Sequence, residues 1–231
     1  MIAFILLGLS VIPLVFMRTR AAVSGHKRAL FDSTAVRDVP LVLFCVGGFF
    51  AFLTLYVPFF YITVFATSHD FSSDEFAPYL VTLLNAGSVF GRLVPNAMAD
   101  RWGSLNVIVV CTFVSSVLAF AWMGIRNQAG SIVFAVLNGA FSGGLVSLSP
   151  SVLMSLTTDM KLLGTRMGMN FLVLGISILI GTPIAGAILG DLTEAEWLAM
   201  MGYGAAGLFL ASVFWVVARV VLYRSNGKMK A

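Results

Sequence analysis

Long apolar runs alternate with short polar connections along nearly the whole chain. A bilayer core of about 30 Å asks for about 20 apolar residues per helix, and runs of that order recur about seven times. Their expected bounds are Ile2–Met17, Val39–Ala66, Phe76–Met98, Ser104–Ile125, Gly130–Leu156, Thr165–Leu189 and Trp197–Tyr223. The first run is short. No basic residue precedes it and no small-residue cleavage pattern follows it, so a cleaved leader is not the expected reading. The pattern predicts an all-α membrane protein.

Polar positions inside these runs are not scattered. In the third span Thr82, Asn85, Ser88, Arg92 and Asn96 fall within an arc of about 120° at 100° per residue. Gly87, Gly91 and Pro95 take the other side, suited to close helix packing. In the fifth span Ser131, Asn138, Ser142 and Ser149 share one face, and Asn170, Ser177 and Gly181 do so in the sixth. The second span contributes Thr54, Pro58 and Tyr61. Such stripes serve either as hydrogen-bonding glue between helices or as the wall of a wet cavity. For the stripe with Arg92 the cavity is the favoured reading, because a charged residue in an apolar span costs about 2.5–3.5 kcal/mol on insertion scales. Arg92 lies roughly 12 Å in from the end of its helix at 1.5 Å per residue, so a structural arginine that snorkels to the interface is the alternative.

Composition sharpens this. The chain has 231 residues, 59% hydrophobic and 10% charged, with a mean hydropathy of +0.99. Soluble domains carry about 25% charged residues, which excludes an ordinary globular protein. The net charge of +4 matters less than its placement. Arg18, Arg20, Lys27, Arg28 and Arg37 fill the first connection, Arg101 the third, and Lys161 and Arg166 border the fifth. Arg219, Arg224, Lys228 and Lys230 lie at the C-terminal end, while the alternate connections hold only Arg126. The positive-inside rule then places the N-terminus outside and the C-terminus in the cytosol.

All ten acidic residues fall in connections or at helix ends. Intramembrane carboxylates are the usual proton carriers, so autonomous proton coupling is disfavoured. Cys45 and Cys111 both sit within apolar runs and do not form a disulfide framework. His69, Asp70, Asp74 and Glu75 cluster in one connection, where a solvated turn is favoured over a metal site. With His26 and His69 in connections on opposite sides, no catalytic set assembles. Neither an enzyme, a cofactor nor a nucleic-acid partner is expected; a small-molecule solute and the lipid bilayer are.

The stretch NAGSVFGRLVPNAMADRWGSLN, residues 85–106, resembles the eighth-to-ninth helix region of the major facilitator superfamily, in its fungal monocarboxylate-transporter-like branch. The A-D-R-x-G core at Ala99–Gly103 is similar to that superfamily's cytoplasmic loop signature. Further likenesses are FFAFLTLYVPFFYI (49–62), SGGLVSLSPSV (142–152), GTRMGMN (164–170) and GTPIAGAILG (181–190). The resemblance implies the C-terminal six-helix half of a twelve-helix carrier plus one preceding helix. Residues 1–17 would be the sixth helix, 18–38 a basic cytoplasmic linker, 39–223 the six-helix half and 224–231 a cytoplasmic tail. Arg92 matches an arginine that animal members use near substrate. Those members place an aspartate four residues earlier, where this chain has Ser88, so their proton-coupled mechanism does not transfer. Fungal members carry varied cargo, including secondary metabolites.

The resulting expectation is transport of a small organic solute, with an anionic one as candidate cargo, across the plasma membrane or an endomembrane. Arg92, Asn85, Ser88, Tyr61, Thr54, Asn138, Ser142 and Asn170 are the candidate solute contacts. Asp100, Arg101, Gly103 and Arg166 are candidates for a cytosolic gate in which Asp100 faces Arg166. A single half supplies one wall, so a second copy or a separately made N-terminal half is the candidate partner. A truncated relic that binds or regulates another transporter, and an incomplete gene model, are the alternatives.

Overall fold

The computed structural model describes residues 31–73 and 75–226, together with Gly8, Ser10, Val11, Pro13 and Phe16. Those five isolated positions are helical. The rest of the expected first span, most of the basic linker, Asp74 and the end of the tail lie outside the described residues. The remainder is helical: α1 (Val39–Leu55), α2 (Val57–Ser68), α3 (Ala77–Trp102), α4 (Ser104–Trp122), α5 (Gln128–Leu156), α6 (Leu163–Leu189) and α7 (Glu194–Asn226).

Among the described residues, five stretches are long and apolar enough to cross a bilayer: α1 with α2, then α4, α5, α6 and α7. With 26 residues α3 has the length, but Asn85, Arg92, Asn96, Asp100 and Arg101 dilute its apolar character. The second expected span divides at Tyr56, two residues before Pro58. Proline has no N–H to donate back along the helix, which is the local reason for a break there. Caps fix other starts. The Asn127 side chain accepts from the Gly130 N–H at 2.7 Å. Thr193 and Glu196 exchange side-chain-to-backbone bonds at the head of α7, the reciprocal arrangement of a capping box.

Residues 99–103 differ from expectation. Asp100 and Arg101 do not stand in a loop; they form the last turn of α3, and Gly103 alone separates it from α4. Gly103 has φ 88°, a conformation open to glycine at little cost, and this lets the chain reverse in one residue.

Close packing is set by glycine. On α3, Gly87 and Gly91 lie directly against the α5 backbone, and on α5 Gly139 and Gly143 lie against that of α3. A Cβ on Gly91 would sit 1.8 Å from the Ala140 carbonyl oxygen, and one on Gly139 would sit 2.0 Å from that of Leu84. Without an aqueous driving force, helices in lipid associate through such contact. Elsewhere α1 packs on α7, where Trp215 fills the notch at Gly47, stacks on Phe44 and donates Nε1–H to the Phe44 carbonyl at 3.0 Å. At the other end Phe65, Trp122, Phe134 and Trp197 build a buried aromatic cluster.

Candidate functional site

Because its glycine face is sunk into α5, α3 turns its far side outward. Thr82, Asn85 and Arg92 are exposed and Asn96 is half-buried. Asn85 donates Nδ2–H to the Val81 carbonyl at 2.9 Å, and Ser88 donates to the Asn85 carbonyl at 2.7 Å. Asn96 bridges to α5, donating to Ser147 Oγ at 3.0 Å. No carboxylate among the described residues lies within 4.0 Å of the Arg92 guanidinium. The outward face thus offers an unpaired cation beside an amide, with large apolar neighbours: Val89 and Leu93 are 56% and 66% exposed. On α6 Leu172, Ile176, Leu179 and Ile180 are likewise uncovered.

The other expected solute contacts do not join this face. Ser88 is buried, its backbone facing Gly143. Thr54 is buried in the notch at Gly207 and bonds its own helix at Phe50. Tyr61 donates its hydroxyl hydrogen to the Thr182 carbonyl at 3.2 Å, tying α2 to α6. Ser142 donates to the Gly139 carbonyl, and Ser177 to that of Leu174. Asn138 and Asn170 are 2% and 1% exposed. Of the candidate solute contacts, Asn138, Ser142 and Asn170 therefore do not stand with Asn85 on the open face: the stripes of α5 and α6 turn into the bundle. The physical reason is that a serine or threonine hydroxyl satisfies itself on a carbonyl three or four residues back. Its polarity then calls for no wet wall, and its small size suits close packing. The two asparagines are less settled. Asn138 Nδ2 and Asn170 Oδ1 are buried without a hydrogen-bond partner among the described residues.

The expected pairing of Asp100 with Arg166 is also corrected. Arg166 is buried at the start of α6 and spreads its three nitrogens over the segment before α1. Nε meets Asp32 Oδ2 at 3.0 Å, Nη1 meets Asp38 Oδ2 at 3.2 Å, and Nη2 meets Thr34 Oγ1 at 3.4 Å. The Thr34 hydroxyl and N–H both donate to Asp32 Oδ1. Chiefly through that hydroxyl, and helped by Arg166, the Asp32 carboxyl is held below its ordinary range against the opposing effect of burial. Asp100 instead borders a separate recess of about 650 Å³ with Asn96, Ser104, Ser151, Ser155 and Thr157. Arg101 is exposed in the last turn of α3.

Sequence reasoning missed the Asp32–Arg166–Asp38 clasp. One signal was available: D-S-T at residues 32–34 is a side-chain-capped turn pattern, which orders the segment that carries both carboxylates. The His69 turn is also more than solvated. His69 Nε2 stands 3.1 Å from Glu194 Oε1, and its ring packs on Phe65, Phe71 and Trp197.

Comparison with known proteins follows the same lines. Residues 44–230 match the family described as Major Facilitator Superfamily. The chain is 36% identical over 217 residues to "MFS-type transporter dbaD" of Emericella nidulans, which covers 94% of this chain and 49% of that protein. It is 30% identical over 227 residues to "Aspyridones efflux protein apdF" of the same organism, covering 98% and 46%. With "Agnestins efflux protein AgnL12" of Paecilomyces divaricatus it shares 32% over 218 residues, covering 94% and 49%. The chain spans about half the length of these curated relatives.

Proposed function

Because this chain belongs to the Major Facilitator Superfamily, a family of multi-pass membrane transporters rather than enzymes, we propose that it supplies the C-terminal half of a carrier that exports a small organic solute. The carrying observation is the outward face of α3, where an unpaired Arg92 and the amide of Asn85 stand among exposed apolar side chains. An arginine within a span needs water or an anion beside it. A second six-helix half would supply the opposing wall and cover the bare faces of α3 and α6. The solute would sit between the halves near the midplane, and rocking of one half on the other would open each side in turn. Export is favoured by the relatives named as efflux proteins for aspyridones and agnestins, and a secondary metabolite as cargo by the resemblance to fungal members of the branch. An anionic cargo and the monocarboxylate-transporter-like branch are favoured by Arg92 and by the motifs at 164–170 and 181–190.

In this reading the basic ends of the helices face the cytosol. Asn138 and Asn170 are further solute contacts, reached when the bundle opens and supplies their missing partners. Asp100, Arg101 and Gly103 work at the cytosolic gate, and Arg166 anchors that end of α6. The competing reading, a membrane protein that regulates another transporter and moves nothing, is favoured by the polar stripes of α5 and α6, which turn into the bundle rather than onto an open wall. The deciding experiment is expression alone and together with the N-terminal half of a relative. Joint expression is expected to raise the abundance of the chain and to give saturable solute efflux. Saturable flux by a stable, monodisperse monomer in liposomes would overturn the half-carrier reading.

A further inference from the structure

A groove of about 510 Å³ runs between α3 and α4, walled by Phe90, Val94, Met98 and Val110 and ending at Trp102 and Asn106. Phe90 and Val94 lie about 160° around α3 from Arg92 at 100° per residue. The groove and the polar stripe therefore look in opposed directions. On the reading above, in which the stripe faces the opposing half, the groove faces lipid.

Beside its polar end stand two arginines without a carboxylate partner among the described residues. Asn106 accepts a hydrogen bond from Arg219 Nε on α7, which brings that guanidinium up behind the groove. Neither Arg219 nor Arg101, the neighbour of Trp102, has a carboxylate within 4.0 Å among the described residues. Arg219 Nη1 is buried with no acceptor among them. Trp102 is 53% exposed at the same level, whereas Trp122, Trp197 and Trp215 are almost wholly buried. An indole at a helix end beside basic residues marks a membrane interface. A flexible acyl chain can lie along such an apolar wall.

We propose that this groove binds one anionic phospholipid, its acyl chain lying along Phe90, Val94 and Met98 and its phosphate against Arg219 and Arg101. The apolar wall recognises the chain, and the uncompensated guanidinium groups select the headgroup.

The exposure of Trp102 alone among the tryptophans provides the assay. The full chain is reconstituted in vesicles containing phosphatidylglycerol or phosphatidylcholine with brominated acyl chains, and tryptophan quenching is measured. Brominated phosphatidylglycerol is expected to bind in preference by about fivefold, the equivalent of the roughly 1 kcal/mol that one basic residue contributes at an anionic surface. Trp102→Phe removes the quenching. Arg219→Gln brings the preference towards unity and Arg219→Lys retains it, with emission from the three buried tryptophans reporting that each variant is folded. Val110→Phe, which narrows the groove and leaves the charges alone, weakens quenching by both lipids. Equal quenching by the two lipids overturns the proposal, as does a preference that survives Arg219→Gln together with Arg101→Gln. Absence of quenching by either lipid also overturns it, since protein then covers the groove. None of these readouts requires transport, so a failure of the carrier reading is seen separately.

Discussion

Replacing Gly91 with alanine tests whether the α3–α5 contact holds this bundle together. In a helix interior, glycine to alanine normally stabilises by roughly 0.5–1 kcal/mol, because the backbone gives up less entropy. Here the new methyl would stand 1.8 Å from the Ala140 carbonyl oxygen, about 2 Å short of ordinary contact. That oxygen is backbone, so the obstruction cannot swing aside as a flexible side chain would. The helices must part, and a gap of only about 0.5–1 Å already forfeits a quarter to a half of each dispersion contact along the seam. Overpacking of this kind costs about 1–3 kcal/mol. Gly91→Ala is therefore expected to lower stability by about that amount, read as the midpoint of unfolding in detergent. Gly139→Ala meets the Leu84 carbonyl at 2.0 Å and should act alike, and the pair should cost less than the sum because both open one seam. Gly175→Ala is the control, with nothing within 4 Å of its Cβ. If Gly91→Ala proves as stable as Gly175→Ala, the account of this interface is wrong.

Further outcomes are expected elsewhere. In the co-assembled carrier, Arg92→Gln should abolish efflux of an anionic solute at near-normal abundance, and Arg92→Lys should restore part of it, keeping charge but losing the bidentate fork; normal flux in the glutamine variant would make Arg92 a structural snorkel. Arg166→Gln should lower the unfolding midpoint far more than Arg101→Gln, because only the former leaves Asp32 and Asp38 without their cation; equal effects would rule out the clasp. The depressed pKa of Asp32 fixes the sign of its pH dependence: its contribution is full above the ordinary carboxylate range and is lost as pH falls through the lowered value. Stability should thus stay flat through mildly acidic pH, and Asp32→Asn should remove the more acidic loss. With Cys45 and Cys111 replaced by alanine, a cysteine at Thr158 should label from the cytosol and one at Ser73 from the opposite side; labelling of both from one side would reject the orientation.

Hydropathy alone located the six described helical rods to within a few residues, because a bilayer dictates the length of an apolar helix. It also singled out Arg92, since a cation within such a run stands out without any structure. What it lacked was the direction of each polar face. Asn85 and Asn138 look equivalent in the sequence, yet one is exposed and the other buried. The difference lies in which glycines meet which carbonyls, Gly87 and Gly91 against α5 and Gly139 against α3, and that is a property of two helices together. Pairing across long separations was hidden for the same reason. Arg166 reaches back 134 residues to Asp32, and spacing along the chain says nothing about which of ten carboxylates a guanidinium will find.

The one-residue joint at Gly103 has a mechanical consequence. A connection of several residues can stretch or coil and so absorb travel between the rods it joins; residues 123–127, between α4 and α5, are such a buffer. Between α3 and α4 there is little play. An axial stroke of α3 has only that one residue in which to be absorbed before α4, and the glycine seam ties α3 to α5. In the carrier proposed above, a pull at Arg92 would therefore be felt along α4 as well, through Gly103 and the seam.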